Sequence, residues 1–310
     1  MMTETKRFHV AVPATTANIG SGFDVLGLAL SLYNEAVFTA DESRAFPDVT
    51  ITAEGEGLAE MSRGADNVVL QAMHRTAERV GRPLPGGTLH LVNRIPFARG
   101  LGSSSAAIVC GAALANLYFG SPLSKADLLS VAADMEGHPD NAAPAVYGGF
   151  VISMMDEAGV RGEKVSVASN WRAVAAVPDF ELLTEKARQA LPDRYCRTDA
   201  VHNVGAVSFL LAAFFLKNPA YLKIGLADRL HVPYRLPLIP GGQVVMDLAE
   251  EAGAYGATIS GSGPTMIAFA PRGRTAEVGE AMRAGFASAG IESRIEVLDF
   301  DDQGVHEIQE

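Results

Sequence analysis

The segment Pro96-Phe-Ala-Arg-Gly100-Leu-Gly102-Ser-Ser-Ser-Ala106 decides how the rest of this 310-residue chain is interpreted. A strand-like pattern precedes it at Thr88–Asn93, and a helical pattern follows it over Ser104–Tyr118. Its two glycines let the backbone approach a ligand and adopt conformations that a side chain forbids. The first turn of the helix then offers unpaired N–H groups at the positive end of the helix dipole. The segment therefore predicts a seat for an anion, and a triphosphate suits it.

Two familiar phosphate-binding motifs do not describe this segment. It lacks the lysine of the Gly-x-x-x-x-Gly-Lys-Ser/Thr loop, and it lacks the third glycine of a dinucleotide fingerprint. The structural alternative is a Gly-Ser turn that leads into a well-capped helix. In the ligand-binding interpretation, the hydroxyl of Ser104 or Ser105 could also face a magnesium ion.

The composition is that of a globular protein rather than a nucleic-acid-binding one. Of its residues 48% are apolar and 20% are charged, and the length suggests two lobes around a cleft. The 25 Lys and Arg against 36 Asp and Glu give a net charge of −11, which opposes a polyanion. The two cysteines, Cys110 and Cys196, form no Cys-x-x-Cys pair, so a reducing compartment is expected and a zinc site is not.

The hydropathy pattern predicts a cytoplasmic protein without a membrane partner. The residues before the strand-like Phe8–Val12 contain no apolar signal-peptide core. The longest apolar run, Ala206–Leu216, is about half of what spans a bilayer.

Strand and helix patterns mix without a regular strand-helix-strand rhythm, which favours an α+β fold over a doubly wound parallel sheet. Asp66, Ser124, Gly81 and Gly253 stand where helix caps are expected. The polar, Gly-containing stretch Asp156–Glu163 is the best candidate boundary, and it predicts domains at 1–157 and 158–310. Strands are predicted near Phe8–Val12, Glu35–Thr39, Val49–Ala53, Thr88–Asn93, Phe150–Met155, Arg172–Val177, Thr265–Ala270 and Ser293–Leu298. Helices are predicted near Asn67–Val80, Ser104–Tyr118, Lys125–Met135, Leu183–Ala190, Ala200–Leu216, Gln243–Ala252 and Thr275–Ala289.

Three ordered motifs resemble those of the galactokinase/homoserine kinase/mevalonate kinase/phosphomevalonate kinase (GHMP) superfamily. Pro-x-x-x-Gly-Leu-Gly-Ser-Ser, beginning at Pro96, is similar to its phosphate loop. Val12–Asp24 resembles its N-terminal substrate-side motif, and Gly256–Thr265 resembles its C-terminal glycine-rich motif, which packs against the phosphate loop. The resemblance implies a two-lobed α+β kinase with a mixed sheet in the N-terminal lobe, an antiparallel sheet in the C-terminal lobe and the active site between them.

Further segments resemble homoserine kinases in particular. These are Glu136–Phe150 with its His-x-Asp-Asn run, Thr184–Pro192 and Asp228–Arg235. The resemblance implies transfer of the ATP γ-phosphoryl group to L-homoserine with Mg²⁺ in threonine biosynthesis, and family members are often homodimers. An α-amino acid needs an arginine fork for its carboxylate and acidic or amide oxygens for its ammonium, and the three segments contain both.

The resemblance also assigns roles to individual residues. It implies ATP-binding positions at Asn67, Pro96, Arg99, Gly100, Leu101, Gly102, Ser103, Ser104, Ser105, Gly261 and Ser262. It implies substrate-binding positions at Asn18, Asp24, His138, Asp140, Asn141, Thr184, Arg188 and Arg235. Catalytic positions fall at Asn141, Glu136 and Ser104, of which Ser104 and Glu136 would hold magnesium.

Several alternatives stay open at this point. Asn18 and Asp24 could form Asx turns that solvate a loop, and Asn67 could simply start a helix beside Asp66. Arg188 and Arg235 could be surface or structural ion-pair residues. Only Gly137 separates Glu136 from His138, whereas many family members place more residues there. Asp140 and Asp24 are the two candidates for a general base, and either could instead hold the ammonium.

Two other functions compete with this interpretation. Another GHMP kinase would phosphorylate mevalonate, shikimate or a diphosphocytidyl sugar alcohol. A non-catalytic sensor would keep the fold and lose the phosphate-loop serines or the magnesium carboxylate, whereas this chain retains Ser104 and Glu136.

Overall fold

A computed structural model describes residues 6–165, 167 and 170–309 of the chain. Its strands are β1 Arg7–Ala17, β2 Leu26–Ala45, β3 Val49–Gly55, β4 Pro85–Asn93, β5 Phe150–Asp156, β6 Gly159–Val165, β7 Trp171–Pro178, β8 Gly256–Ile259, β9 Met266–Pro271, β10 Ser293–Leu298 and β11 His306–Glu307. Its α-helices are α1 Val68–Val80, α2 Ser103–Tyr118, α3 Lys125–Glu136, α4 Ala142–Tyr147, α5 Thr184–Gln189, α6 Arg197–Phe215, α7 Leu222–Gly225, α8 Val232–Arg235, α9 Gly242–Glu251 and α10 Thr275–Ser288. The expectation about the first five residues lies outside this description.

Two sheets divide the strands. The larger has the order β11-β1-β2-β4-β3, with β5 pairing with β2 and β6 pairing with β5. Its β3–β4 pair is parallel, with α1 between the two strands in the chain, and its other pairs are antiparallel. The smaller sheet, β10-β7-β9-β8, is antiparallel throughout. The predicted α+β class, with a mixed sheet first and an antiparallel sheet second, is confirmed.

All of the predicted strands and helices form, and most end within a few residues of their expected ends. The exception is β2, which spans Leu26–Ala45 where only Glu35–Thr39 was predicted. The proposed boundary, by contrast, lies inside a β-hairpin, because Asp156 pairs with Gly159 and β6 continues the larger sheet to Val165. The smaller sheet begins only at Trp171. The division at 157/158 stays a prediction, and the first sheet extends beyond it.

Three of the predicted caps are confirmed and one is wrong. Ser124 and the Asp127 carboxylate form a reciprocal capping box at the start of α3, and Gly81 and Gly253 adopt positive φ at helix ends. The cap of α1 is Asn67, whose side chain accepts from the N–H of Val69. Asp66 instead accepts from the Ser62 hydroxyl.

Helix α2 is the centre of the first lobe, since it packs against α1, α3, β1 and β2. Its residues are small and apolar on all sides, including the fully buried Ala106, Ala112 and Ala115, as expected of a helix with no solvent face. Core packing therefore holds the first turn of α2 in place, and this turn faces outward from the core. Glycines precede this turn in the sequence, and the packing of α2 in the core positions the turn at the edge of the cleft.

Helix α6 joins the second lobe to the first through its inner face. Phe214 stacks on Phe150 with ring centroids 4.2 Å apart and meets the edge of Trp171. By length and composition α6 is also the one helix in the described ranges that could cross a membrane, and 28% of its most apolar stretch is buried. Its outer face thus leaves large apolar side chains exposed.

Candidate active site

The predicted phosphate loop bends sharply into α2. Gly100 and Gly102 have φ of 79° and 71°, the left-handed region in which glycine is favoured. A Cβ on Gly100 would lie 2.3 Å from the Ser260 carbonyl, and one on Gly102 would lie 2.0 Å from the Thr15 hydroxyl. Gly102 has no side chain to cap α2, so the first N–H groups of that helix are available to an anion.

The C-terminal glycine-rich motif supports this loop from the other lobe. The Ser260 hydroxyl donates to the Gly100 carbonyl at 2.7 Å, and the N–H of Thr265 donates to the Arg99 carbonyl. The expectation that this motif packs against the phosphate loop is confirmed.

The partly buried carboxylate of Glu136 faces the start of α2. The Ser105 hydroxyl donates to Oε2 of Glu136 at 2.5 Å. Burial raises the pKa of Glu136, and hydrogen bonds from Ser105 and Ser104 partly oppose that rise. Ser105 is 1% exposed whereas Ser104 is exposed, so Ser104 is the more accessible of the two hydroxyls.

The His-x-Asp-Asn run forms a connected polar cluster. His138 Nδ1 lies 2.6 Å from Oδ1 of the buried Asp140, which also accepts from the N–H of Asn141. The Asn141 side chain accepts from the Thr15 hydroxyl at 2.8 Å. The hydrogen bond to Asp140 is the main cause of the raised pKa of His138. Thr15 was not predicted, and its β-strand pattern gives no signal for a polar role.

Two of the predicted substrate residues bind each other. Both terminal nitrogens of Arg188 donate to the two oxygens of Asp24, each at 3.1 Å. This pair is partly exposed at the wall of the cleft. Opposite charges therefore stand side by side where an amino acid is expected.

Asn18 is engaged in holding its loop. Its Nδ2 donates to the Gly261 carbonyl at 2.8 Å, and its Oδ1 accepts from the N–H of Asp24. Neither bond is an Asx turn, because Asp24 is six residues on and Gly261 lies in the other lobe, and Asn18 also lines the cleft. Thr184 lies across the cleft, with its hydroxyl 3.2 Å from that of Ser262.

Arg235 is buried instead of lying at the surface. It is 2% exposed, its Nη1 donates to the Gly261 carbonyl, and its guanidinium carbon lies 5.1 Å from the centre of the Phe23 ring. Phe23 and His231 complete this stack. Sequence reasoning assigned neither a site role, since an isolated histidine and phenylalanine carry no spacing signal.

One cavity of about 480 Å³ brings most of the predicted residues together. The members it unites are Asn18, Asp24, Arg99, Gly100, Gly102, Ser103, Ser104, Ser105, Glu136, His138, Asp140, Asn141, Thr184, Arg188, Arg235, Gly261 and Ser262. It also includes Gln71, Ile108 and Met135, which were not predicted.

Three predicted ATP-binding residues lie elsewhere. Leu101 is fully buried, and its carbonyl accepts from the N–H of Thr15. Pro96 lines a separate cavity on the far side of the loop, where Arg99 donates to the Pro178 carbonyl. Asn67 caps α1 and lines an adjoining cavity of about 350 Å³.

That adjoining cavity is mostly apolar and opens beside the phosphate loop. Met61, Leu91 and Cys110 contribute to its lining. Four residues line both cavities, namely Val68, Phe97, Ser103 and Ser104. The start of α2 therefore lies between this adjoining cavity, the apolar compartment, and the larger cavity with Asp24, Arg188 and Arg235, the charged compartment.

Comparison with known proteins adds the following findings. Residues 67–149 match the family model for the GHMP kinases N terminal domain, and residues 211–288 match that for GHMP kinases C terminal. The homoserine kinase of Carboxydothermus hydrogenoformans is 46% identical over 286 residues, which are 92% of each chain. The crystal structure of homoserine kinase from Cytophaga hutchinsonii matches with a TM-score of 0.90 and 31% identity over 99% of each chain. The L. major mevalonate kinase, solved with R-mevalonate, shares the fold at 14% identity with a TM-score of 0.74 over 98% of each chain.

Proposed function

We propose, from the premise that this chain belongs to the homoserine kinases of the GHMP kinase family, that its cleft transfers the γ-phosphoryl group of ATP to the side-chain hydroxyl of L-homoserine. The products are O-phospho-L-homoserine and ADP. The observation that carries this proposal is the single cavity in which the start of α2 faces Asp24, Arg188 and Arg235. An anion seat and a pair of opposite charges are what a triphosphate and an amino acid together require.

The charged compartment suits a zwitterion. An incoming α-carboxylate takes the place of Asp24 at Arg188 and is completed by Arg235, while the α-ammonium takes the place of Arg188 at Asp24. Mevalonate brings a carboxylate but no ammonium, and a sugar alcohol also lacks the ammonium, so either would leave Asp24 without a cationic partner. This exchange favours an amino acid over mevalonate or a sugar alcohol.

The apolar compartment suits a nucleobase. Apolar side chains such as Met61, Val68 and Leu91 line much of the slot, as is common in ligand pockets. A base seated there would place its phosphates over Ser103–Ser105 at the start of α2. Asn67 then contributes by capping α1, the helix that lines the slot.

The residues at the start of α2 fit a magnesium ion. Carboxylate and hydroxyl oxygens are hard ligands, and Mg²⁺ needs only one or two from the protein when phosphates and water supply the rest. Glu136 and Ser104 would hold it, with Ser105 fixing the carboxylate. The ion, when bound, neutralises charge on the β- and γ-phosphate oxygens.

Positioning and charge stabilisation account for most of phosphoryl-transfer catalysis. Asp140 is already bound by His138 and by the N–H of Asn141, and Asp24 is bound by Arg188. Neither is a free base, so the hydroxyl proton passes to an oxygen of the transferred phosphoryl group. Asn141, fixed by Thr15, orients the acceptor hydroxyl.

The deciding experiment measures ADP release with L-homoserine, L-serine, L-threonine and mevalonate as separate acceptors. The proposal expects kcat/KM for L-homoserine to exceed that for mevalonate by at least ~10²-fold, since the missing ammonium leaves one charge unmatched. L-Serine and L-threonine carry both charges, and their kcat/KM is expected to be lower because their hydroxyls are one carbon nearer to the α-carbon and are misplaced for transfer. Mevalonate as the best acceptor would establish another GHMP kinase activity. Binding of Mg-ATP and homoserine without turnover would establish a sensor.

We also propose that the enzyme is cytoplasmic and homodimeric, with the outer face of α6 as the contact between copies. Between Asp199 and Lys217 the chain has no Asp, Glu, Lys or Arg. On this side the residues Val201, Val204, Phe209, Phe215, Leu216 and Ile224 are each 42–68% exposed. Together they present roughly 600 Å² per copy, so two copies would bury about 1,200 Å², the lower limit of a stable interface.

A further inference from the structure

The buried guanidinium of Arg235 has no carboxylate partner within 4 Å among the residues that the structure describes. Its three hydrogen bonds go to neutral acceptors, namely the carbonyls of Gly261 and Ala187 and Nδ1 of His231. Burial lowers the pKa of Arg235, because an unpaired cation is costly away from water. Within the described residues, Nη2 of Arg235 also has no hydrogen-bond acceptor, and the side chain lines the cleft. The site is therefore incomplete without an anion.

The direction of this guanidinium depends on His231. The two residues stand four apart, with His231 directly before α8 and Arg235 at its end, so their side chains lie on the same side. His231 Nδ1 is 3.3 Å from Nη1 of Arg235. Since an arginine only donates, Nδ1 is the acceptor in this bond.

The other ring nitrogen fixes the tautomer. His231 Nε2 lies 2.8 Å from the Gly20 carbonyl, which only accepts, so Nε2 bears the hydrogen. The ring is fully buried and stacks on Phe23 with centroids 5.1 Å apart. One neutral tautomer satisfies both partners at once.

Burial and the neighbouring guanidinium also favour the neutral form of the ring. Burial lowers the pKa of His231, Asp228 and Asp24 oppose that change, and Arg235 reinforces it. Asp228 is 3.8 Å from Nε2, too far for a hydrogen bond. Its oxygens instead accept from the backbone N–H groups of residues 230, 231 and 232.

Resting on the proposed function, we infer that His231 is a positioning residue that aims Arg235 at the substrate carboxylate. Through Gly20 it also links that arginine to the loop that presents Asp24. The ring thereby sets the spacing between the two charges that an α-amino acid must bridge. It touches neither substrate nor nucleotide.

The loop does not depend on His231 alone, so variants are expected to fold. The Ser21 hydroxyl donates to the Gly225 carbonyl, and Asn203 Nδ2 donates to the Ser21 carbonyl. These contacts keep the loop against the second lobe when the ring is replaced. The interaction that changes is the hydrogen bond that orients the Arg235 guanidinium.

Three substitutions separate the two hydrogen bonds. His231→Asn keeps an acceptor near the position of Nδ1, His231→Gln keeps a donor near that of Nε2, and His231→Phe keeps only the stack. Loss of the acceptor is expected to raise KM for L-homoserine roughly 10-fold in the Gln and Phe variants, the scale of one hydrogen bond to a charged group. The Asn variant is expected to stay within about 3-fold of wild type. KM for ATP and Mg-ATP binding by calorimetry should not change.

Truncated acceptors distinguish aiming from general support. 4-Hydroxybutyrate keeps the carboxylate and 3-aminopropan-1-ol lacks it. In the Gln and Phe variants kcat/KM should fall for L-homoserine and 4-hydroxybutyrate and hold for 3-aminopropan-1-ol. His202→Asn is the matched control, since His202 also lies 2.8 Å from a backbone carbonyl, that of Ala227, outside the cleft.

Equal losses for all three acceptors, or a Gln variant with wild-type KM for L-homoserine, would overturn the inference and leave the proposed function intact. A wild-type protein that phosphorylates no amino acid would overturn both. Lower thermal stability with unchanged KM would likewise reduce His231 to a structural residue.

Discussion

At the scale of single residues, the cleft is built from side chains that hold one another. Asp24 pairs with Arg188, His138 with Asp140 and Ser105 with Glu136. Each pair orders its polar groups before a ligand binds, and a side chain that is already ordered loses little further entropy on binding. Charged groups that are already in position supply much of the transition-state stabilisation at a phosphoryl-transfer site.

Glu136→Ala is expected to lower kcat by roughly 10²-fold, the usual effect of losing one charge-stabilising group. The magnesium concentration for half-maximal rate should rise, while KM for L-homoserine stays near wild type. Steady-state kinetics over a magnesium series test this. The exposed Glu78→Ala serves as control, and unchanged magnesium dependence in Glu136→Ala would contradict the assignment.

Arg235→Met is expected to act on substrate affinity rather than turnover. Methionine fills the buried site without its charge, so KM for L-homoserine should rise at least ~10-fold, as loss of a charged hydrogen bond implies. Arg188→Met, at a more exposed position, should show a smaller rise. Wild-type kinetics from Arg235→Met would show that the carboxylate site is wrong.

The two cysteines should differ in reactivity. Burial raises the pKa of Cys110 to about 12, so its thiol stays protonated from pH 7 to 9, and the thiolate is the nucleophile. Cys196 is exposed. Titration with a chromogenic disulfide at pH 8 should detect one thiol in the native protein and two in denaturant. Two native thiols, or protection of Cys196, would refute this account.

At the scale of elements, α2 decides the position of the proposed nucleotide site. Its small apolar residues bury it against α1, α3, β1 and β2, while its uncapped first turn faces the cleft. The periodicity, the glycines and the serines predicted this helix within one residue of its start. The partner that holds Gly100 in place, Ser260, is 160 residues away, and local sequence does not encode that contact.

Gly102→Ala tests the bend that opens α2. Positive φ alone costs an alanine roughly 1–2 kcal/mol, and the added Cβ would also collide with Thr15. Gly120→Ala is the matched control, because Gly120 has φ of 82° and nothing within 4 Å of its Cβ. Chemical denaturation should show a larger loss for Gly102→Ala, and calorimetry should show that only this variant loses Mg-ATP binding. Equal stability losses with retained binding would exclude a tight bend.

At the scale of the whole molecule, two lobes with separate sheets enclose one cleft. The second lobe also carries an apolar outer face on α6. The cleft draws its groups from both lobes, so its substrate selectivity depends on their relative placement. The face on α6 has no role in the cleft. An uncharged helix side on a protein with net charge −11 is typical of an interaction surface.

Val204→Asp is expected to convert a homodimer into a monomer, since two buried carboxylates would face each other across the contact. Analytical ultracentrifugation at ~10 μM would measure this, a concentration suited to an interface of this size. Val244→Asp, at an exposed position on α9, is the control. A monomeric wild type would reject the dimer, and co-sedimentation with lipid vesicles would point to a membrane surface instead.

The sequence by itself determined most of the longer helices and strands and the family, and it predicts the anion seat. Each of these is a local property: apolar periodicity, glycine at a left-handed bend, or residue types at fixed spacing. The wrong cap at Asp66 shows the limit of local reasoning, because Asp66 and Asn67 are both good caps and only backbone geometry selects one.

Only the tertiary structure decided which charges meet. Arg188 reaches Asp24 across 164 positions, and His231 reaches Gly20 across 211. It also decided that Arg235 is buried and that Pro96 and Leu101 lie outside the cleft. Hydrogen bonds and ion pairs depend on distance in space, and chain separation does not specify that distance until the core has packed.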